Sequence, residues 1–307
     1  MAYYENEAGK HIMRALLLIT LTSVLLTACQ QGNQNSQKDK QMFEWIKSLT
    51  PASCPKLDKS RYPKIDPEAD ALFQKAYKAD DVAPRVISQE EVVKLYQQAA
   101  EKGHWVAMNN LAVSYYQGYG IKQDEKKALY WYQQIEKFDI PEGYTNMATV
   151  YRKGIGVKSD EKRAVAYMDK AAQLGDPDAQ FMVGKYLYSP LGRKPDAYKI
   201  LHCAIEQGHR KAAFELALHY DVDENFDMAY KIYRKGAKLG SDSCINALKK
   251  AYAHVSKYPT FGLNKDIERA KCLKKLVDEA LERDPNITFP DLDERCPANV
   301  DQPTNRD

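Results

Sequence analysis

The chain has 307 residues, 44% apolar and 28% charged, and its 45 basic and 42 acidic side chains leave a net charge of +3. That apolar share suffices for one elongated domain with a hydrophobic core that does not depend on disulfides. The two signs of charge are interspersed, with no basic arm or aromatic-basic stripe, so nucleic acid is not an expected partner.

Residues 15–26 form an apolar run of twelve, too short for an ordinary membrane-spanning helix, and the run ends Leu26, Thr27, Ala28, Cys29. This ending resembles the lipobox of bacterial lipoprotein signal peptides, in which the cysteine becomes the acylated first residue of the mature protein. The resemblance implies a signal peptide over 1–29, a lipid anchor at Cys29 and a position in the cell envelope facing the periplasm. Gln30, in place of Asp after the cysteine, is similar to lipoproteins sent to the outer membrane of Gram-negative cells. A plain signal peptide with an incidental cysteine, or a buried helix, is the blander alternative. Met13 with Arg14 makes a compact basic start, so the chain can begin there or at Met1, and Met42 is a further conceivable start for a cytosolic form.

Residues 30–61 read as a tether and N-terminal segment. The first twelve are all polar and cannot bury enough surface to fold. Fully extended, they reach on the order of 40 Å. Asp66 followed by Pro67 then opens a helix, since proline suits the first helical turn.

The most regular feature comes next. GYGIKQDEKKA at 118–128 returns as GIGVKSDEKRA at 154–164, an offset of 36 residues. Anchors at Gly103, Asp139, Gly175, Gly208 and Gly240, spaced by 36, 36, 33 and 32, carry that repeat along the chain. The fourth residue after each anchor is Ala107, Gly143, Ala179, Ala212 or Cys244, and the eighth is Leu111, Met147, Val183, Leu216 or Leu248. A twelfth position, Tyr115, Tyr151, Leu187, Tyr220 and Tyr252, extends the same stripe, which is one face of a helix A. Seven and eleven residues before each anchor, Tyr96 with Val92, Tyr132 with Ala128, Met168 with Ala164, Leu201 with Ala197 and Tyr233 with Ala229 mark a helix B. Asp124, Asp160 and Asp176 stand where N-caps belong, and the anchor glycines stand where a left-handed C-cap is wanted. Both shortenings of the repeat fall in the loop from A to B, where Gly118 with Gly120, and Gly154 with Gly156, reverse the chain.

This pattern of small-x-x-x-large, YxxGxGVxxDxxKA and AAxxG resembles the SEL-like repeat (SLR) family, a relative of the tetratricopeptide repeat. The resemblance implies an all-α fold, a right-handed α-solenoid of stacked helix-turn-helix SEL-like/tetratricopeptide-type repeats, over 62–283, with 284–307 as a C-terminal tail. The unit ending IEKFD at Asp139 departs from the pattern.

On helix A, Asn110, Asn146, Lys185, Lys211 and Glu215 fall on the arc away from the stripe. Tyr116, Arg152 and Tyr188, each thirteen residues after an anchor, lie outside it too. These eight residues are the expected partner-binding set, weighed against the plain alternative of a solvated face. Tyr115, Tyr132, Tyr151 and Tyr233 recur at core positions, and packing accounts for them.

Enzymatic signals are weak. The loop glycines supply only two of the three in a dinucleotide-binding pattern and lie between helices, so they are turn glycines. His202 and Cys203 are adjacent on a helix and point to different faces, while His209 follows an anchor, so no metal site is expected. Paired carboxylates such as Asp223 and Glu224 sit in a polar loop. The expectation is a binding protein without catalytic residues or cofactor.

Once Cys29 is set aside, Cys54, Cys203, Cys244, Cys272 and Cys296 remain for an oxidising compartment. Cys244 sits at a small core position and reads as buried. Cys54 and Cys296, in the two flanking segments, are the preferred bridge if the ends fold toward each other. Residues 66–73 and 286–293 also resemble the ends of SLR proteins with an uncharacterised C-terminal domain, often found as immunity partners of type VI secreted phospholipases. That implies a periplasm-facing lipoprotein that neutralises such a phospholipase by covering its catalytic cleft or membrane-docking face. An envelope scaffold that binds resident proteins is the alternative, and a hydrolase related to cysteine-rich SLR proteins is a third, disfavoured one.

Overall fold

The computed structural model describes residues 54–297, apart from 82–86, 189–192, 256–259, 262 and 284–286. Among the described residues the chain is helical, with no strand. A 3-10 turn at Lys59–Arg61 precedes thirteen α-helices that belong to one compact unit. These are α1 (Pro67–Asp81), α2 (Gln89–Glu101), α3 (Trp105–Gln117), α4 (Glu125–Glu136), α5 (Pro141–Lys153), α6 (Glu161–Gln173) and α7 (Pro177–Leu187). They continue with α8 (Lys194–Glu206), α9 (Arg210–Val222), α10 (Phe226–Lys238), α11 (Asp242–Tyr252), α12 (Ile267–Arg283) and the single turn α13 (Leu292–Arg295). Each of α1 to α11 packs on the next, which is the contact pattern of an α-solenoid.

The anticipated register is present. Leu111, Met147, Val183, Leu216 and Leu248 are buried on the A helices, and Val92, Ala128, Ala164, Ala197 and Ala229 are buried on the B helices. Gly103, Gly175, Gly208 and Gly240 all have positive φ, and Asp139 takes the same conformation at φ 53°. An aspartate tolerates that region, and its carboxylate is held by the Tyr144 hydroxyl at 2.6 Å and by Arg61 at 2.6 Å. The Asp124, Asp160 and Asp176 side chains each accept backbone N–H bonds at the start of the following helix. At the twelfth position, Tyr115 and Tyr252 are buried, whereas Tyr151 is only half-buried and stacks on Tyr167 at 5.4 Å.

The N-terminal segment forms a strap that runs backward along the B-to-A turns. The Pro55 carbonyl accepts from Gln180 Nε2 at 2.9 Å, and Leu57 N donates to Gln207 Oε1 at 2.9 Å. Farther along the strap, Arg61 pairs with Asp139, the Tyr62 hydroxyl donates to Glu142 at 2.7 Å, and Glu68 meets Lys102 at 2.9 Å. The chain end does likewise at the last turn, where the Ile287 carbonyl accepts from Arg210 Nη2 at 3.0 Å and Phe289 N donates to the Lys238 carbonyl at 2.7 Å. Phe289, Leu292 and Cys296 are fully buried there.

These straps correct the expected cysteine pairing. The bridges are Cys54–Cys203, with Cα atoms 5.4 Å apart, and Cys272–Cys296, at 5.7 Å. Cys54 does not reach Cys296 because the strap ends over α8, whereas the segment after Phe289 folds onto α12. Cys244 is the buried free cysteine, and burial pushes its thiol up to about 12.

The straps explain an otherwise unmotivated difference among the turn glycines. A Cβ on Gly175 would lie 2.4 Å from the Lys56 carbonyl carbon, and one on Gly240 would lie 1.9 Å from the Ile287 carbonyl oxygen, while Gly208 has nothing within 4 Å. Gly208→Ala is therefore expected to cost only the left-handed backbone penalty, about 1–2 kcal/mol. Gly175→Ala and Gly240→Ala must also lift a strap and are expected to cost at least about 1 kcal/mol more. Urea unfolding of the three variants checks this, and equal losses would remove the strap contacts from the account.

Asp293 fastens the C-terminal strap. Burial pushes its carboxyl up, but hydrogen bonds from Lys238 and Arg234 prevail and hold it at about 2. Arg269 adds a bond at 2.9 Å. A carboxyl with a depressed folded pKa gives stability above its unfolded value near 3.9 and loses it as pH falls toward 2. With discount for partial solvent exposure, Asp293→Asn is expected to cost about 1 kcal/mol at pH 7 and almost nothing near pH 2. Thermal unfolding of the two proteins between pH 7 and pH 2 tests this; a pH-independent difference would assign the loss to packing.

Candidate interaction surface

The straps and the packed seam occupy the B-to-A turns and the apolar stripes; the outward arc of the A helices, the exposed faces of the B helices and the A-to-B loops remain. Asn110 lies on this arc in a groove of about 300 Å³, between α1, α2, α3 and the loop after α3. Lys185 and Lys211 are exposed, and the Lys185 ammonium stands 5.6 Å from the Phe181 ring. Asn146 is half-buried on α5.

Tyr116, Arg152 and Tyr188 are all half-buried and engaged within the fold. The Lys153 ammonium lies 5.4 Å over the Tyr116 ring. Arg152 Nε is 3.7 Å from Glu161 Oε1, and that carboxylate also accepts from the Tyr186 hydroxyl, which ties α5, α6 and α7 together. One guanidinium nitrogen of Arg152, Nη2, is buried without a hydrogen-bond partner.

Tyr188 and Glu215 meet through His219. The Tyr188 and His219 rings stack at 3.3 Å and 5°, and His219 Nε2 lies 3.4 Å from Glu215 Oε1. Burial pushes the His219 imidazole down, against the raising effect of Glu215 and Asp223. Asp223, which also binds Lys194 and the Tyr198 hydroxyl, is held below the usual carboxylate range chiefly by Lys194. The eight anticipated residues thus fall into separate neighbourhoods: the groove at Asn110, the Lys153–Tyr116 contact, Asn146 on α5, the Arg152 network, the Lys185–Phe181 contact, the His219 cluster with Tyr188 and Glu215, and exposed Lys211.

His209, weighed above as a metal ligand, instead caps α9, its Nδ1 accepting from Ala212 N at 2.9 Å, and His104 caps α3 in the same way. Among the described residues, no group of three or more His, Cys, Asp or Glu is placed to hold a metal ion. Sequence reasoning missed the rest of the groove, including Tyr77, Asp80, Tyr96 and Tyr119. It also missed Leu218 and Val222, which α9 leaves exposed one turn apart. Tyr119 had a usable signal, since a tyrosine flanked by two loop glycines has little to pack against locally.

Amide, aromatic and charged side chains spread over successive repeats suit recognition of a macromolecular surface, with aromatic anchors and polar surroundings. The Sel1 repeat family model matches residues 93–104, 105–135, 141–176, 177–209 and 210–241. No curated protein matches the chain. The solved structures that resemble it include three from Pseudomonas aeruginosa. PA5086 is 30% identical with a TM-score of 0.56, over 81% of this chain and 95% of that one. Immunity protein Pa5087 is 29% identical with a TM-score of 0.56, over 81% and 94%. Immunity protein PA5088 is 29% identical with a TM-score of 0.59, over 81% and 95%.

Proposed function

The chain belongs to the Sel1 repeat family, and from that membership we propose that it is an immunity protein, binding and neutralising a toxic protein partner. The observation that carries this reading is the likeness to the immunity proteins Pa5087 and PA5088 over 81% of the chain.

The finer proposal is a lipoprotein anchored through Cys29, facing the periplasm, at the outer membrane. Its partner is a type VI secreted phospholipase, and it acts by covering that enzyme's active or membrane-docking surface. The lipobox-like Leu26, Thr27, Ala28, Cys29 supports the anchor, and the polar stretch after it supports a tether. Such an anchor would raise the inhibitor's effective concentration at the membrane under attack. Asn110, Tyr116, Asn146, Arg152, Lys185, Tyr188, Lys211 and Glu215 are proposed to contribute to the contact surface, acting without a cofactor.

The test is to express a candidate type VI phospholipase in the periplasm with and without this protein. Restored growth is the expected result, with partial loss of protection for Cys29→Ala, which cannot be acylated. Unchanged killing across the phospholipases encoded beside the gene removes the reading.

A further inference from the structure

We propose that the outer face of the B helices docks on an anionic phospholipid surface, with a column of lysines meeting the lipid phosphates. The inference deepens the immunity reading and rests on its lipid anchor for the membrane in question.

The repeat sets the column. The residue nine before each anchor is Lys94 on α2, Tyr130 on α4, Ala166 on α6, Lys199 on α8 and Lys231 on α10, and all five are exposed. The B helices bury the seventh and eleventh residues before the anchor, so the ninth lies on the opposite side, away from the seam. Lys126 and Lys162, one turn earlier on α4 and α6, are exposed on the same side. None of these five lysines forms an ion pair with a described residue.

The carboxylates of α4 and α6 are drawn into the fold instead. Glu125 accepts from Gly156 N at 3.3 Å, Glu136 meets the Tyr167 hydroxyl, Glu161 accepts from the Tyr186 hydroxyl, and Asp169 accepts from Gln173 Nε2 at 2.7 Å. Of the other acids on this face, Glu206 is paired with Lys235, while Glu90, Glu101 and Asp227 stand at its margin. The column itself holds no acidic residue.

The chemistry favours lipid over protein. Lysine is a compact charge on a flexible stem that meets a phosphate without fixed geometry, and it is depleted in protein interfaces, where arginine is enriched. Tyr130 is 52% exposed and braced edge-on by Trp131 at 5.2 Å, and such a ring suits the headgroup level of a bilayer. The path of the chain agrees. Cys54 is bonded to Cys203, whose Sγ donates to the Lys199 carbonyl one turn back on α8. The stretch that leads from Cys29 therefore joins the fold beside the column.

The test measures cosedimentation of the full chain with phosphatidylcholine vesicles, with and without phosphatidylglycerol. The wild type is expected to prefer the anionic vesicles. Combining Lys94→Gln, Lys199→Gln and Lys231→Gln should cut that preference on the order of 100-fold, at about fivefold per lysine. The N-terminal stretch is common to both proteins and cancels in the comparison. Hydrogen exchange gives a second readout, with protection of α8 and α10 expected on the anionic vesicles alone. An unchanged preference in a triple variant that unfolds like the wild type, or protection confined to the A helices, overturns the proposal. Tighter binding to polyglutamate than to the anionic vesicles also overturns it and assigns the column to an acidic protein. An unchanged preference alongside restored growth discards the column alone. A lysine-dependent preference without protection from the phospholipase discards the immunity reading alone.

Discussion

Replacing Cys54 and Cys203 together by serine is expected to lower the unfolding free energy by about 2–5 kcal/mol, toward the upper end of that range. The bridge spans 149 residues, and in the chain-entropy account a longer closed loop removes more freedom from the unfolded chain. Its loss also frees the end of the strap, where only single hydrogen bonds from Gln180 and to Gln207 remain to hold residues 55–57. The Cys272–Cys296 bridge closes only 24 residues, so the corresponding double serine variant is expected to lose about 1–2 kcal/mol less. Urea unfolding under oxidising conditions, with Cys244→Ser as control, separates the two. A smaller loss for the Cys54 pair would mean that the strap adds little to the fold.

Leu111→Ala is expected to cost about 2–5 kcal/mol, from lost burial and the cavity left behind. Leu111 is 0% exposed, at the large apolar position of α3, among Ala107, Tyr115 and the facing residues of α2 and α4. Its equivalents Met147, Val183, Leu216 and Leu248 occupy the same place in successive units, so the variant tests the register of the whole array. In a stacked array each unit leans on its neighbours, and the loss should appear as cooperative destabilisation. A near-neutral result by urea unfolding would place the buried seam elsewhere on the helix.

The repeat seam was legible because it is periodic. A small residue at the fourth position and a large one at the eighth recur five times, and the capping aspartates Asp124, Asp160 and Asp176 carry a local signal that needs no tertiary information. The straps were not legible, since residues 54–64 have no period and their partners lie as far as 150 positions away. The cysteine pairing failed for the same reason, because it depends on where an extended segment ends. Histidine caps at His104 and His209 were missed because a ring nitrogen seldom takes the role that Ser, Thr, Asp and Asn fill. On the outer surface, position alone placed Tyr188 outside the stripe but could not foresee that its ring lies flat on His219. The groove at Asp80 joins three helices and a loop, a juxtaposition that no single stretch of sequence contains.

Hydrogen exchange of the protein, alone and in complex with a protein partner that it binds, tests the central claim most directly. The claim is that the array spends its apolar seam internally, closes its B-to-A turns with straps, and recognises a partner with the outward arc of the A helices. The predicted result is protection on binding in α3, α5, α7 and α9 and in the loop holding Tyr119, with the strap at 54–64 unchanged. Protection confined to the strapped turns, or none in a complex that forms, would contradict it.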